Sequence, residues 1–318
     1  MEKYYITTPI YYVNDKPHIG HAYTTILADT ISRFRALIGQ KPTFLTGLDE
    51  HGLKVQQAAE KNGKAPQDHC DSMAPAFIDL WEKLNINYSD FIRTTENRHT
   101  KIVQEILTKV HESGDIYMDE YEGWYSISEE RFITEKELDS GQFGEVKKIK
   151  EKNYFFKMSK YQQTLIDKIE KDELLIQPKS RKNEVLGFLK NELSDLCISR
   201  PKSRLEWGIE LPFDNNYVTY VWFDALINYI SAIGVYKNHE QFSELWPANV
   251  HLIGKDILTT HSVYWPTMLL SLGLPLPQRI FAHGWWLTDD KKMSKSLGNV
   301  VSPLMLIDDF GVDSVRYY

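Results

Sequence analysis

The chain has 318 residues and a formal net charge of −7, with 42% hydrophobic and 25% charged residues; it is long enough for two or more modules with real cores and has ordinary soluble globular composition. Two cysteines, Cys70 and Cys197, with no Cys-x-x-Cys, exclude a disulfide framework and an all-cysteine zinc site, and free thiols suit a reducing compartment. The negative charge argues against nucleic-acid binding by the whole surface. It leaves Lys147-Lys148-Ile149-Lys150 and Lys179 to Lys182 as candidate local basic faces, which read first as solvated charge clusters.

Tyr4 to Val13 is rich in β-branched and aromatic residues and apolar on both faces, as a strand of a parallel sheet is. Asn14-Asp15-Lys16-Pro17 breaks it. From His21 the spacing of Tyr23, Leu27, Ile31, Phe34 and Ile38 predicts a helix, closed by Gly39 at C′. Thr43 to Thr46 is a second strand, followed at its C-terminal end by Asp49-Glu50-His51-Gly52. Strand, helix, strand opens a βαβ unit. Ala74 to Leu84 and Thr100 to His111 read as amphipathic helices. Ile116 to Ile149 alternates apolar and charged residues around Gly141 and Gly144, as a small β-rich insertion would. Helical segments follow at Lys160 to Lys171 and Asn183 to Leu189. Parallel-strand texture returns at Tyr217 to Trp222, Val250 to Ile253 and Arg279 to His283. Ser302-Pro303 marks an N-cap with proline at N1, opening a helix to Phe310. The expected fold class is α/β, a Rossmann-like parallel sheet in two halves around an insertion of roughly a hundred residues. The expected divisions are 1–115 and 220–288 for the two halves, 116–219 for the insertion, and 289–318 for a final loop and the start of a further, truncated region. The N-terminus has no basic-then-apolar signal shape, and Pro266, Pro275, Pro277 and Arg279 interrupt the most apolar late stretch, so a cytoplasmic protein is expected.

Two tetrads bracket the chain. His18-Ile19-Gly20-His21 lies between strand and helix, where free N–H groups and the positive dipole end face a ligand. Two imidazoles there can donate to phosphate oxygens and stabilise developing charge, and Gly20 removes a side chain where a base would pack. Alone, the tetrad also fits a capped helix with incidental histidines. Lys292-Met293-Ser294-Lys295, with Ser296 next, lies in a polar loop after a strand. Its ammonium groups suit a pyrophosphate leaving group, and alone it also fits a solvated lysine loop.

Together the two tetrads resemble the signatures of the class I aminoacyl-tRNA synthetases. The resemblance spans residues 4 to 318 and is strongest to the methionyl enzymes. It is carried by Thr8 to Asn14, Gly47 to Gly52, Ser180 to Val185, Tyr220 to Ala225, His251 to Asp256 and Phe281 to Trp285. It implies activation of L-methionine by ATP with Mg²⁺, giving methionyl-adenylate, and transfer to tRNA(Met). It places His18, His21, Lys292 and Lys295 in catalysis. ATP is expected on those four with Gly20, Gly254 and Asp256. Methionine is expected among Ile10, Tyr12, Asp49, Trp222, Ala225, Tyr229 and His283. Polarisable aromatic walls suit a thioether, and Asp49 suits the substrate ammonium. Where many relatives hold zinc through Cys-x-x-Cys pairs, this chain reads Gly123 to Glu130 without thiolates, and His111 and Glu130 do not replace them, so no structural zinc is expected. An anticodon-reading helical domain would begin beyond residue 318, so adenylate formation with poor tRNA charging is expected. The alternative is another class I synthetase, for leucine, isoleucine, valine or cysteine. The branched-aliphatic enzymes carry larger editing insertions, and the cysteine enzyme would want a metal. Small nucleotidyltransferases share the first tetrad but are shorter and lack the lysine loop. Intact histidines and lysines argue against a silent tRNA-binding module.

Overall fold

The computed structural model describes residues 2–126, 131–133, 138–139, 145–285, 287–288, 291–292 and 301–318. Gly141, Gly144, Met293 to Ser296 and the stretch Ile127 to Glu130 lie outside the described residues. Strand β1 (Lys3–Tyr12) is buried through Tyr4 to Thr8, as the sequence predicts. Pro9 cannot donate to a ladder, and the register with the next strand shifts between Thr7 and Ile10. Helix α1 (Ile19–Leu37) ends at Ile38 with Gly39 at φ +87°, the expected C′ glycine. Its buried face differs from the predicted stripe. Ala22, Thr25, Ile26, Asp29 and Ser32 are buried, whereas Phe34 is 55% and Ile38 53% exposed. Small residues let the helix lie close on the sheet, and a reading that counts only large apolar residues misses that face.

Strand β2 (Lys41–Asp49) follows, then helices α2 (Leu53–Lys61) and α3 (Pro66–Lys83). Helix α3 starts at Pro66, eight positions before the expected Ala74, and carries Pro75 internally. Strand β3 (Asp90–Arg93) and helix α4 (Asn97–Glu112) complete the first half. A Cβ on Gly47 of β2 would stand 2.0 Å from the Ile92 carbonyl oxygen of β3, so the pairing of these strands demands glycine there.

The β-rich insertion is a long antiparallel hairpin of β4 (Ile116–Ser126), with β5 (Arg131–Ile133) beside it and β6 (Val146–Phe156) as its second arm. After a helix at Gln162–Glu170 comes β7 (Leu175–Gln177), which leaves the insertion and pairs with the main sheet. Three residues among charged neighbours gave no strand signal. Helix Lys179–Phe188 leads to β8 (Leu196–Cys197), β9 (Ser199–Pro201), β10 (Glu210–Leu211) and β11 (Asp214–Thr219). The expected parallel strand at Tyr217 to Trp222 does not form. Strand β11 is antiparallel to β9 and β10, and Val221–Leu226 is a helix. A short apolar run buried on all sides does not distinguish the two by periodicity.

Strands β12 (Val250–Gly254) and β13 (Arg279–His283) appear where predicted, joined through a π-turn at Thr260–Tyr264 and a helix at Trp265–Ser271. The short pair β14 (Leu287–Thr288) and β15 (Lys291–Lys292) follows. Ser302 caps a helix at Pro303–Phe310, and Val312–Tyr317 is helical. The main sheet runs β3-β2-β1-β12-β13-β7, parallel throughout. Alternate side chains feed two cores. Tyr4, Ile6, Phe44 and Leu48 join the cluster of α1 and α3, while Tyr5, Leu45 and Ile92 join that of α4 and the second half. From β1 the order grows outward in both directions, so the crevice falls at the C-terminal ends of β1 and β12.

Candidate functional site

His18 is the N-cap of α1, extended at φ −124°. Its Nδ1 accepts from the Gly20 N–H at 3.1 Å, and His21 Nδ1 accepts from the His18 N–H at 3.3 Å. Two imidazoles thus build the reciprocal capping box that Ser and Glu usually make. The rings stack at 3.8 Å between centroids. With Nδ1 accepting, the hydrogen-bond pattern assigns the proton of each neutral ring to Nε2. A Cβ on Gly20 would stand 3.0 Å from His18 Cε1, so the glycine makes room for that ring. Tyr11 holds His21 at 4.7 Å and donates to, or accepts from, Thr25 Oγ1 at 2.8 Å. The Ile19 N–H, another donor of the first helical turn, goes to the Val301 carbonyl at 3.3 Å. The chain therefore returns to this helix end directly after the second tetrad. Lys292 is placed by its backbone, paired with Leu287, and Lys295 lies outside the described residues.

Gly254 and His283 are register partners at the ends of β12 and β13. A Cβ on Gly254 would meet Asp256 Oδ1 at 2.6 Å, so the carboxylate folds over bare backbone. His283 Nδ1–H donates to the Gly284 carbonyl at 2.8 Å, and its Nε2 lies 2.7 Å from Thr24 Oγ1 on α1. Tyr23 stands edge-on at 4.9 Å. Burial pulls the His283 pKa below its ordinary value. His283 is thus seated beside the first tetrad.

The other expected residues gather deeper. Ile10, Tyr12 and Trp222 pack against the cluster that contains Tyr229, and Ala225 is buried one turn along from Trp222. Asp49, 3% exposed, ends β2 opposite Tyr12. Burial raises the Tyr229 pKa strongly, with the charges of Tyr11 and Asp49 acting in the same direction. Tyr229 donates its hydroxyl to His261 Nε2 at 2.7 Å, because His261 Nδ1–H is spent on the Ile257 carbonyl at 2.9 Å. Burial pushes the His261 pKa down to about 4. Beneath it Trp265 Nε1–H donates to His251 Nε2 at 3.2 Å, so His251 Nδ1–H donates to Thr7 at 2.8 Å. His261 also faces Trp222 edge-on at 6.2 Å. The π-turn residue His261 shares the aromatic group with Trp222 and Tyr229. The sequence reading did not single it out, because nothing in its spacing announces a π-turn.

The loop after Asp49 is fixed by charge. Buried Glu50 accepts from Arg93 Nε at 2.6 Å and from the Thr95 hydroxyl, and Trp207 Nε1–H bonds its carbonyl. Burial still raises the Glu50 pKa. Most cations of the basic runs of the insertion are ion-paired. Lys147, Lys148 and Lys150 sit within 3.1 Å of Glu145, Glu122 and Glu120. Lys182 sits 2.6 Å from Asp172, and Arg181 pairs with Glu184. Among the described residues no group of three His, Cys, Asp or Glu could hold a metal ion, and no helix is long and apolar enough to cross a membrane.

The family model for tRNA synthetases class I (M) matches residues 4–142 and 139–318. The chain is 53% identical over 321 residues to the methionine–tRNA ligase of Clostridium tetani and 52% identical over 321 residues to that of Clostridium perfringens; each alignment covers 99% of this chain and 50% of the relative. The chain spans about half the length of the curated relatives it matches. Mycobacterium tuberculosis methionyl-tRNA synthetase in complex with methionyl-adenylate superposes with a TM-score of 0.95 at 43% identity, covering 100% of this chain and 64% of that one.

Proposed function

The chain belongs to the class I tRNA synthetases (M), and from that premise we propose that it activates L-methionine with ATP and hands the methionyl group to tRNA(Met). The methionine carboxylate attacks the α-phosphorus in line, the bond to the β-phosphate bridge breaks, and methionyl-adenylate and pyrophosphate form. No covalent enzyme intermediate is needed, so positioning and charge stabilisation carry the step. The observation that carries the reading is the imidazole capping box at the N-terminus of α1, set at the sheet's switch point. His18 and His21 are assigned to the phosphates through Nε2–H, supplemented by the helix dipole. Lys292 and Lys295 are assigned to the departing pyrophosphate, and Gly20, Gly254 and Asp256 to the nucleoside. Mg²⁺ enters with ATP as part of the substrate.

Methionine is assigned to Ile10, Tyr12, Trp222, Ala225 and Tyr229, with Asp49 taking the ammonium. The geometry supports adding His261 to this wall, and supports moving His283 to the nucleotide side against Thr24. We assign the catalytic unit to 1–115 and 220–288, with β7 contributed from within 116–219. We also place the protein in the cytoplasm and propose that it holds no structural zinc. Metal analysis that found one tightly held zinc per chain would refute the last point.

The direct test is amino-acid-dependent exchange of pyrophosphate into ATP, run across all twenty amino acids. Signal with methionine alone is expected. Signal with leucine, isoleucine, valine or cysteine instead would favour another class I synthetase.

A further inference from the structure

Asp224 is 1% exposed and lies between Trp222 and Ala225 on the helix that walls the proposed methionine pocket. Two imidazoles meet its carboxylate. His51 Nδ1–H donates to Oδ2 at 2.7 Å, and His99 Nε2–H donates to Oδ1 at 2.7 Å. His51 follows Asp49 by two positions at the end of β2 and is covered by the Trp207 ring at 5.3 Å. His99 is fully buried on α4, and its Nδ1 lies 2.7 Å from Ser231 Oγ, past the far end of the wall helix. One carboxylate therefore joins three separate elements: the loop carrying Asp49, helix α4, and the helix carrying Trp222 and Ala225. Burial acts to raise the Asp224 pKa, and His51 and then His99 more than offset it, so the carboxyl is held below its usual range.

A buried carboxylate is costly unless both oxygens are satisfied, and hydrophobic residues of similar volume often serve stability as well or better. Packing alone thus gives little reason for two imidazoles and an acid here. Their geometry does have a use. Asp49 faces the charged end of an amino acid, while Trp222 and Ala225 face its side chain. Those two surfaces belong to different halves of the chain, and the Asp224–His51 bond links them two residues from Asp49 and one residue from Ala225. We propose that Asp224 is a positioning residue for amino-acid recognition. Through His51 and His99 it holds the Asp49 loop and the Trp222–Ala225 wall at one fixed separation. This rests on the assignment of the pocket to methionine given above.

Asp224→Asn tests it. The amide keeps the shape and can still meet both rings. Its oxygen accepts from one, and its NH₂ donates to the other, which must switch tautomer. In pyrophosphate exchange the methionine KM is expected to rise about tenfold, with the ATP KM and kcat within about twofold, because only the spacing of the amino-acid groups changes. Imidazole ¹⁵N spectra are expected to show one ring changing tautomer. An unchanged methionine KM would overturn the proposal, and so would methionine and ATP KM rising together, the mark of a general folding role. Should Asp224→Asn not fold, His51→Ala reads the same link from its more accessible side. A rise of about fivefold in methionine KM alone is expected there, and no rise overturns the proposal. Wild-type protein that exchanged with another amino acid, or with none, would instead defeat the methionine assignment, a result visible before any variant is made.

Discussion

The histidines at the α1 terminus and those beneath the sheet's crevice are the same side chain put to opposite uses. His18 and His21 turn Nδ1 to the backbone of the helix cap, and both rings are only partly buried. His99, His251 and His261 are held through both nitrogens and are at most 1% exposed. In the proposed function the first pair meets the phosphates of ATP, while the second group holds neighbouring elements at fixed distances. Burial decides which is which: His251 and His261 have their pKa values driven down by desolvation and stay neutral spacers near pH 7.

The largest effect on activity is expected at His18. Asparagine is a favourable N-cap, so His18→Asn should leave thermal stability within about 0.5 kcal/mol of wild type. It lacks the Nε2 donor, and the loss of one pre-placed donor to developing charge should slow exchange by about 10²-fold or more. A variant with normal exchange would reduce the tetrad to a helix cap.

The buried group answers to acid instead. The His261 pKa is about 4 in the fold and about 6.5 in an unfolded chain, so protonation favours unfolding. Its contribution is complete above about pH 6.5 and is lost as the pH falls toward 4, amounting to about 3 kcal/mol across that window. Denaturant titrations from pH 7 to 4 should show wild type losing more stability than His261→Asn by about that amount. Equal losses would mean that His261 is not the buried neutral group its bonds describe. A smaller effect is expected of Tyr229→Phe, which strips the donor from His261 Nε2. An unsatisfied buried acceptor costs about 1–2 kcal/mol of stability. Methionine KM should rise more than ATP KM, and the reverse would place Tyr229 on the nucleotide side.

How much of this was legible depends on distance along the chain. The strand-end residues Tyr12, Asp49, Gly254 and His283 could be read from the family resemblance, and for Asp49 and Gly254 the end of a strand gave a second, physical reason. Their partners could not. His99 lies 125 positions from Asp224 and looks like any helix residue. The pairing of His261 with Trp222 depends on a π-turn, and that of His283 with Thr24 on which face α1 turns inward. That face is made of Ala22, Thr25, Asp29 and Ser32, which hydropathy does not pick out. The parallel sheet itself was readable from β1, β2, β12 and β13. Its outer strands β3 and β7 were not, being four and three residues long.

Asp29 also carries the mildest prediction, one that separates the two sides of the site. It is fully buried on α1 and accepts from Arg33 Nε at 2.7 Å, from the Asn87 N–H at 2.8 Å and from Arg316 at 2.5 Å. Arg316 belongs to the last helix, and also donates to the Leu84 carbonyl at 2.7 Å. The chain after the lysine loop is thus pinned twice to α1, by the Val301 carbonyl on the Ile19 N–H and by Arg316 on Asp29. Removing one partner of a buried pair costs about 3–5 kcal/mol when the other is left alone. Arg33 and the Asn87 N–H remain, so Arg316→Ala should cost only about 1 kcal/mol, read as a shift of about 2–4 °C in melting temperature. The loosened anchor bears on the nucleotide side. Exchange should fall about threefold through kcat or ATP KM, while methionine KM stays where it was. Asp224→Asn and Arg316→Ala then move opposite substrates. If both moved the same KM, the two groups of residues would be one mechanical unit, and the contrast between the helix terminus and the buried floor would not hold.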